Sequence, residues 1–210
     1  SLFYTYKLCF YNIVMVATVS VMVDYGGTDG SPLSQDTTGN EPSIRFKTLD
    51  NNDMSTNGKL LGTIDVPVSG TNNSFWKHIY LKVTGGEFTR IENVKFYTDG
   101  SSFGTGIETF VGTELPTHNS GDSSGYVKAT GTENSSGDTM LDHGDISTKT
   151  NVFTFTSGTP KNISISESDN MIDSVGESTD YIVAQMEVAS TVSLKGDLTD
   201  KTWYFIFDEL

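Results

Sequence analysis

Apolar and polar residues alternate along much of this chain, most clearly over residues 75–112, FWKHIYLKVTGGEFTRIENVKFYTDGSSFGTGIETFVG. There Ile79, Leu81 and Val83 alternate with His78, Tyr80 and Lys82, the period of a strand with one face in a core and the other in water. Gly85-Gly86 and Asp99-Gly100 punctuate the run as turn signals between antiparallel strands. Between Ile91 and Val94 the apolar phase slips by one residue, which predicts a bulge near Asn93.

Other stretches repeat the pattern. Val19, Val21, Val23 and Tyr25 form an opening strand that ends at Gly26-Gly27, and a polar loop with Asp29-Gly30, Pro32 and Pro42 follows. Ile44, Phe46 and Thr48 predict a second strand, with turn chemistry at Asn51-Asn52-Asp53 and Asn57-Gly58. Residues 61–68 predict an edge strand, since Pro67 cannot donate to a ladder. Further strands are expected at 152–156, 163–165, 181–188 and 203–207. The last, Trp203-Tyr204-Phe205-Ile206-Phe207, is apolar on both sides, which places it mid-sheet or at an interface, with Trp203, Phe205 and Phe207 toward the main core. About ten strands joined by turns, with no long 3.6-period stretch, predict an all-β fold: an antiparallel β-sandwich, jelly-roll or immunoglobulin-like.

Residues 113–150 break the rhythm. Only Tyr126, Val127, Met140, Leu141 and Ile146 can anchor this Gly-, Ser- and Asp-rich insertion. Ordering backbone costs ~1–2 kcal/mol per residue, so the expectation is tied ends, a mobile middle and a short hairpin around 125–130. The domain reading is a single β-sandwich over residues 15–210 carrying this insertion.

Composition narrows the function classes. The chain has 210 residues, 35% of them hydrophobic, and 13 Lys plus Arg against 27 Asp plus Glu, a formal charge of -14. That field repels nucleic-acid phosphates. Cys9 is the only cysteine, which excludes an intrachain disulfide and thiolate metal clusters. The charge-free run at 8–23 falls short of the ~20 residues of a membrane helix, so no membrane partner is expected. Residues 1–14 read either as an extension upstream of a true start at Met15 or as an arm that pairs with a neighbouring subunit. The clean alternation after Met15 favours the extension.

No residue set is plainly reserved for chemistry. His78, His118 and His143 lack a Gly-x-Ser-x-Gly elbow to meet, so no catalytic residue is assigned and no enzyme is expected. Asp138, Asp142 and Asp145, around Asp142-His143-Gly144-Asp145, are the candidate calcium ligands, although Asp-Gly sequences mainly make turns; no other cofactor is called for. Gly104-Thr105-Gly106 lacks the last glycine and the helix of a dinucleotide fingerprint. Asn72, Asn134 and Asn162 open sequons of the kind a Ser- and Thr-rich chain acquires by chance. Trp76, His78 and Tyr80, on one face of a strand, could stack a sugar; the equally simple readings are a second packed layer or a subunit interface.

From Met15 to the C-terminus the stretches VSVMVDYGGTDGSP, WKHIYLKVTG, IENVKFYTDGSSFGTG, YIVAQMEV and LTDKTWYFIFDE resemble uncharacterised β-rich virion structural proteins of tailed phages and archaeal viruses. The resemblance implies a non-enzymatic head-decoration, tail or fibre component, in a virion or extracellular, whose partners are copies of itself or other virion proteins. It carries over no site residue. The alternative is a secreted or cell-surface carbohydrate-binding or adhesion module, with a glycan as partner.

Overall fold

A computed structural model describes residues 16–38, 44–53, 61–193 and 198–210. The readings of residues 1–14, Pro42 and Asn57-Gly58 lie outside these residues. Twelve strands are described: β1 (Ala17–Thr28), β2 (Ser31–Asp36), β3 (Thr71–Asn73), β4 (Lys77–Gly86), β5 (Ile91–Thr98), β6 (Ile107–Gly112), β7 (Gly131–Thr132), β8 (Ser136–Gly137), β9 (Lys149–Asn151), β10 (Lys161–Asn162), β11 (Ile182–Ala189) and β12 (Trp203–Glu209). Short 3-10 turns occupy Met140–His143 and Val152–Thr154. The fold is all-β and antiparallel, as a β-sandwich requires.

β11 is the axis of a large sheet. β4 and then β3 pair along one edge of it, and β6 pairs along the other. β1 and β2 extend the sheet beyond β4, β9 beyond β6, and the β7–β8 hairpin beyond β3. A smaller sheet, in the order β10-β5-β12, packs over one face. Val23, Ile79, Leu81, Val83, Val111, Ile182 and Ala184 of the large sheet meet Ile91, Val94 and Phe96 of the small one, each set on the face that its alternation predicts.

The other face is also covered. Phe75, Trp76, Tyr80, Tyr181 and Val183 pack against Tyr126, Ala129, Met140 and Ile146. The segment at 113–150, expected to be mobile in its middle, is therefore the outer layer of a second core. Its hairpin falls at β7–β8, a few residues beyond the expected position. Polar contacts hold it down where apolar ones are few. The Trp76 indole N–H donates to the Val127 carbonyl at 2.9 Å. The Gln185 amide donates to the Ser74 and Asp138 carbonyls at 2.7 Å, while its oxygen accepts from the Met140 N–H at 2.8 Å. At Gly137 a β-carbon would sit 2.3 Å from the Ser74 carbonyl oxygen, so only glycine lets the hairpin close onto the sheet.

Several expected elements are corrected. Residues 44–48 alternate like a strand but form none, because their backbone bonds go singly to separate segments and no ladder builds up: Thr48 N–H to Gly62, Asn134 N–H to the Thr48 carbonyl and Phe75 N–H to the Lys47 carbonyl. Residues 61–68 form no strand, and Val68 is fully exposed. The expected strand at 152–156 opens as a 3-10 turn capped by the Asn151 side chain. Residues 163–165 continue from β10 outside regular strand, with Ile163 N–H bonded to Val94. The polar loop after Gly27 contains β2. β12 faces as expected, Trp203, Phe205 and Phe207 packing on the core, but it is an edge strand with Tyr204 and Ile206 about 40% exposed. The bulge at Asn93 is present: Asn93 has φ 55°, and the β5–β12 register shifts between Ile206 and Asp208.

Candidate functional site

All three histidines come together in the second core. His78 projects from β4 on the face opposite Ile79, and cross-strand pairing sets it beside Asp24 of β1 and Val183 of β11. His118 and His143 come from the covering segment. They are 1%, 8% and 2% exposed respectively. The Nε2 atoms of His78 and His143 lie 2.8 Å apart, within hydrogen-bonding distance. The ring centroids are 4.9 Å apart, so the rings meet almost nitrogen to nitrogen instead of converging on a third point where a metal would sit.

One proton must occupy that contact. The Asp145 N–H points at His143 Nδ1 (3.4 Å) and the Val127 N–H at His78 Nε2 (3.5 Å). Both assign the same tautomers: His143 donates through Nε2, and His78 accepts and carries its own proton on Nδ1. That Nδ1 is buried without a partner. Both rings are neutral here. Burial pushes His78 well below the ordinary histidine value, with the neighbouring His143 acting in the same direction. Burial also lowers His143, against the pull of Asp145 and Asp29.

Beside this pair is a layer of phenols. His118 stacks on Tyr80 at 4.1 Å and meets Tyr181 edge-on at 4.6 Å. Its Nδ1 is 2.6 Å from Ser178 Oγ, and burial drops it to about 4. The Tyr181 hydroxyl donates to Asp24 at 2.6 Å and the Ser34 hydroxyl at 2.5 Å. Burial raises Asp24 although these donors oppose it. Burial likewise pushes the Tyr80, Tyr126 and Tyr181 hydroxyls up. The Tyr126 hydroxyl donates to the Gly26 carbonyl at 2.6 Å.

The predicted site residues fare unequally. Trp76, His78 and Tyr80 share a face as expected, but they are 1%, 1% and 3% exposed. The sugar-stacking platform is thereby corrected to the alternative, a second packed layer. Asp138, Asp142 and Asp145 do not gather: among the described residues no three His, Cys, Asp or Glu groups could hold a metal, and we assign none of them as a ligand. Sequence reasoning missed Asp24, Tyr181, Ser178 and Gln185. Two of these had a signal. Asp24 interrupts VSVMV-D-Y and Gln185 interrupts IVA-Q-MEV, and a polar residue inside an apolar strand needs a buried partner.

An open depression of about 410 Å³ lies alongside, lined by Glu114, Pro116, Thr117, Gly125 and Asp145 among others. None of the imidazoles lines it. Glu114 is held to about 2 by the Ser147 hydroxyl, so it is a fixed anion engaged by its own loop. On the opposite face Lys77 is fully buried, its Nζ 3.5 Å from Asp50 and 3.1 Å from the Asn51 carbonyl. Burial lowers it to about 8.

Neither family models, nor curated proteins, nor solved structures match this chain.

Proposed function

We propose that the chain is a non-enzymatic structural or assembly component of a virus particle, in head decoration, tail or fibre. The observation that carries the non-enzymatic part is the inward use of its chemistry. His78, His118, His143 and Asp24 are all buried and directed at partners inside the second core. His118 and Ser178 form an imidazole–hydroxyl pair, the pairing a hydrolase uses. Ser178, however, is fully buried, so no substrate carbonyl could approach its Oγ.

The resemblance to β-rich virion proteins supplies the particle. The open edge of β12 supports the assembly role: Tyr204 stacks on Tyr97 with centroids 4.8 Å apart, and Ile206 projects beside them. An apolar strip on an edge that is unpaired among the described residues suits contact with neighbouring subunits. Mass spectrometry of purified particles and sedimentation of the isolated protein test the reading. The chain should be present in particles and associate at high concentration. A strict monomer that is missing from particles would overturn the proposal.

A further inference from the structure

We propose that the three histidines form an acid-operated latch between the central sheet and the layer at 113–150, so that mild acid detaches that layer while the sandwich stays folded. Geometry makes the argument. His78 belongs to the sheet and His143 to the layer, and their 2.8 Å contact crosses the boundary. His118 belongs to the layer and rests on Tyr80 and Tyr181 of the sheet side. The chain's 3 histidines are all spent on this boundary. None lies in the core between the two sheets.

The latch works only when neutral. If a proton occupies both Nε2 atoms, two N–H groups face each other and the bond becomes a repulsion. The groups around the rings do not prevent this. Toward His78 stand Lys77 of its own strand, Asp24 of β1, already engaged by Tyr181 and Ser34, and the phenols of Tyr126 and Tyr181. Toward His143 stand Asp145 at 3.9 Å and Asp29. Toward His118 stand Lys82 and Asp122, which oppose each other, and Ser178, with Asp180 taking its backbone N–H. For each ring burial outweighs the acids.

Once the layer lifts, each imidazole regains the ordinary value near 6.5. The open form then binds more protons below that pH, and acid favours opening. For His118, held at about 4 when closed, going from about pH 7 to about pH 5 multiplies the opening constant roughly twentyfold. His78 and His143 add to that factor. Lifting the layer bares Phe75, Trp76 and Tyr80, an apolar surface that the neutral protein conceals.

Hydrogen exchange on the full chain at about pH 7 and about pH 5, corrected for intrinsic rates, tests the proposal. Amides of 113–150 should lose protection by roughly twentyfold or more in acid, while β5 and β12, and the central β4 and β11 with their paired neighbours, keep theirs. The double variant His118→Gln, His143→Gln should lose the shares of His118 and His143, the first alone roughly twentyfold, and keep only what His78 supplies. Unchanged protection of the layer, or equal loss in β5 and β12, would overturn the latch, as would a full acid response in a folded double variant. Because the variant could fail to fold, the wild-type histidine ring protons are titrated by NMR as well. Midpoints at or above 6.5 for the closed form would overturn the proposal.

Discussion

The two faces of the large sheet are built from different chemistry. One is aliphatic: Val23, Ile79, Leu81, Val83 and Ile182 against Ile91, Val94 and Phe96. The other is aromatic and polar: Trp76, Tyr80, Tyr126 and Tyr181, with the three histidines, Asp24 and Gln185 threaded through. Apolar area is the main stabiliser of the first, at about 25 cal/mol per Å² buried, with the buried Lys77–Asp50 contact beside it. The second also depends on matched donors and acceptors, which are costly to leave unmade. The aliphatic face should therefore be indifferent to mild acid, where Lys77, held at about 8, stays charged, and sensitive to volume, and the aromatic face sensitive to both.

The largest effect should come from truncation in the aliphatic core. Phe96→Ala removes a fully buried ring and should cost ~3–5 kcal/mol, read as a shift in the denaturant midpoint at unchanged slope, with the same cost at neutral and mildly acid pH. A pH-dependent cost would break the contrast.

Next in size is the acid dependence of the whole molecule. His118 is held at about 4 in the fold against ~6.5 unfolded, a difference worth on the order of 3 kcal/mol. Because the folded value is the lower one, stability is full above ~6.5 and falls as pH drops toward 4. Urea unfolding across that window measures it, and a flat profile would contradict the burial of the ring.

A smaller, sharper test is Tyr181→Phe. It deletes the hydroxyl that donates to Asp24 at almost constant volume and should cost ~1.5–3 kcal/mol, the range for a hydrogen bond to a charged group. With a donor gone, Asp24 should be raised further, so the cost should shrink in acid. A cost below ~0.5 kcal/mol would mean that Ser34 alone satisfies the carboxyl.

The smallest effect lies outside both faces. Tyr204 and Ile206 project from the small sheet into solvent, so Ile206→Thr should change monomer stability by no more than ~0.5 kcal/mol. The same substitution should weaken any self-association seen by sedimentation. A large loss of stability would show that the side chain is packed.

The contrast explains what could be read from the chain. Ile79, Leu81 and Val83 announced the aliphatic face, because only a core favours such residues at period two. His78 and Tyr80 could not announce theirs, since an amphipathic ring suits water and a hydrogen-bonded interior alike. The covering layer was hidden by the same ambiguity. The sequence offers only Tyr126, Val127, Met140, Leu141 and Ile146 as its anchors, and counting them alone implies mobility. What holds the layer is Gln185 bridging three backbone groups and the Trp76 indole, contacts between positions far apart in sequence. Residues 44–48 show the reverse failure: alternation whose backbone bonds go singly to Gly62, Phe75 and Asn134 gives packing but no ladder.

The bulge where β5 meets β12 carries a consequence for how the molecule avoids its own kind. Trp203, Phe205 and Phe207, with Tyr204 and Ile206 behind them, make β12 the sort of segment that seeds fibrils when it lies straight and bare. Asn93, in the left-handed conformation and donating its side-chain amide to Asp208 at 2.8 Å, breaks the register after Ile206 and increases the local twist. An incoming strand could therefore zip only along residues 203–206 before the edge turns away and presents Asp208 and Glu209. A β-branched residue in place of Asn93 would have to leave that conformation. Straightening would then lengthen the ladder on offer and turn a contact of fixed extent into a template that can be copied without end.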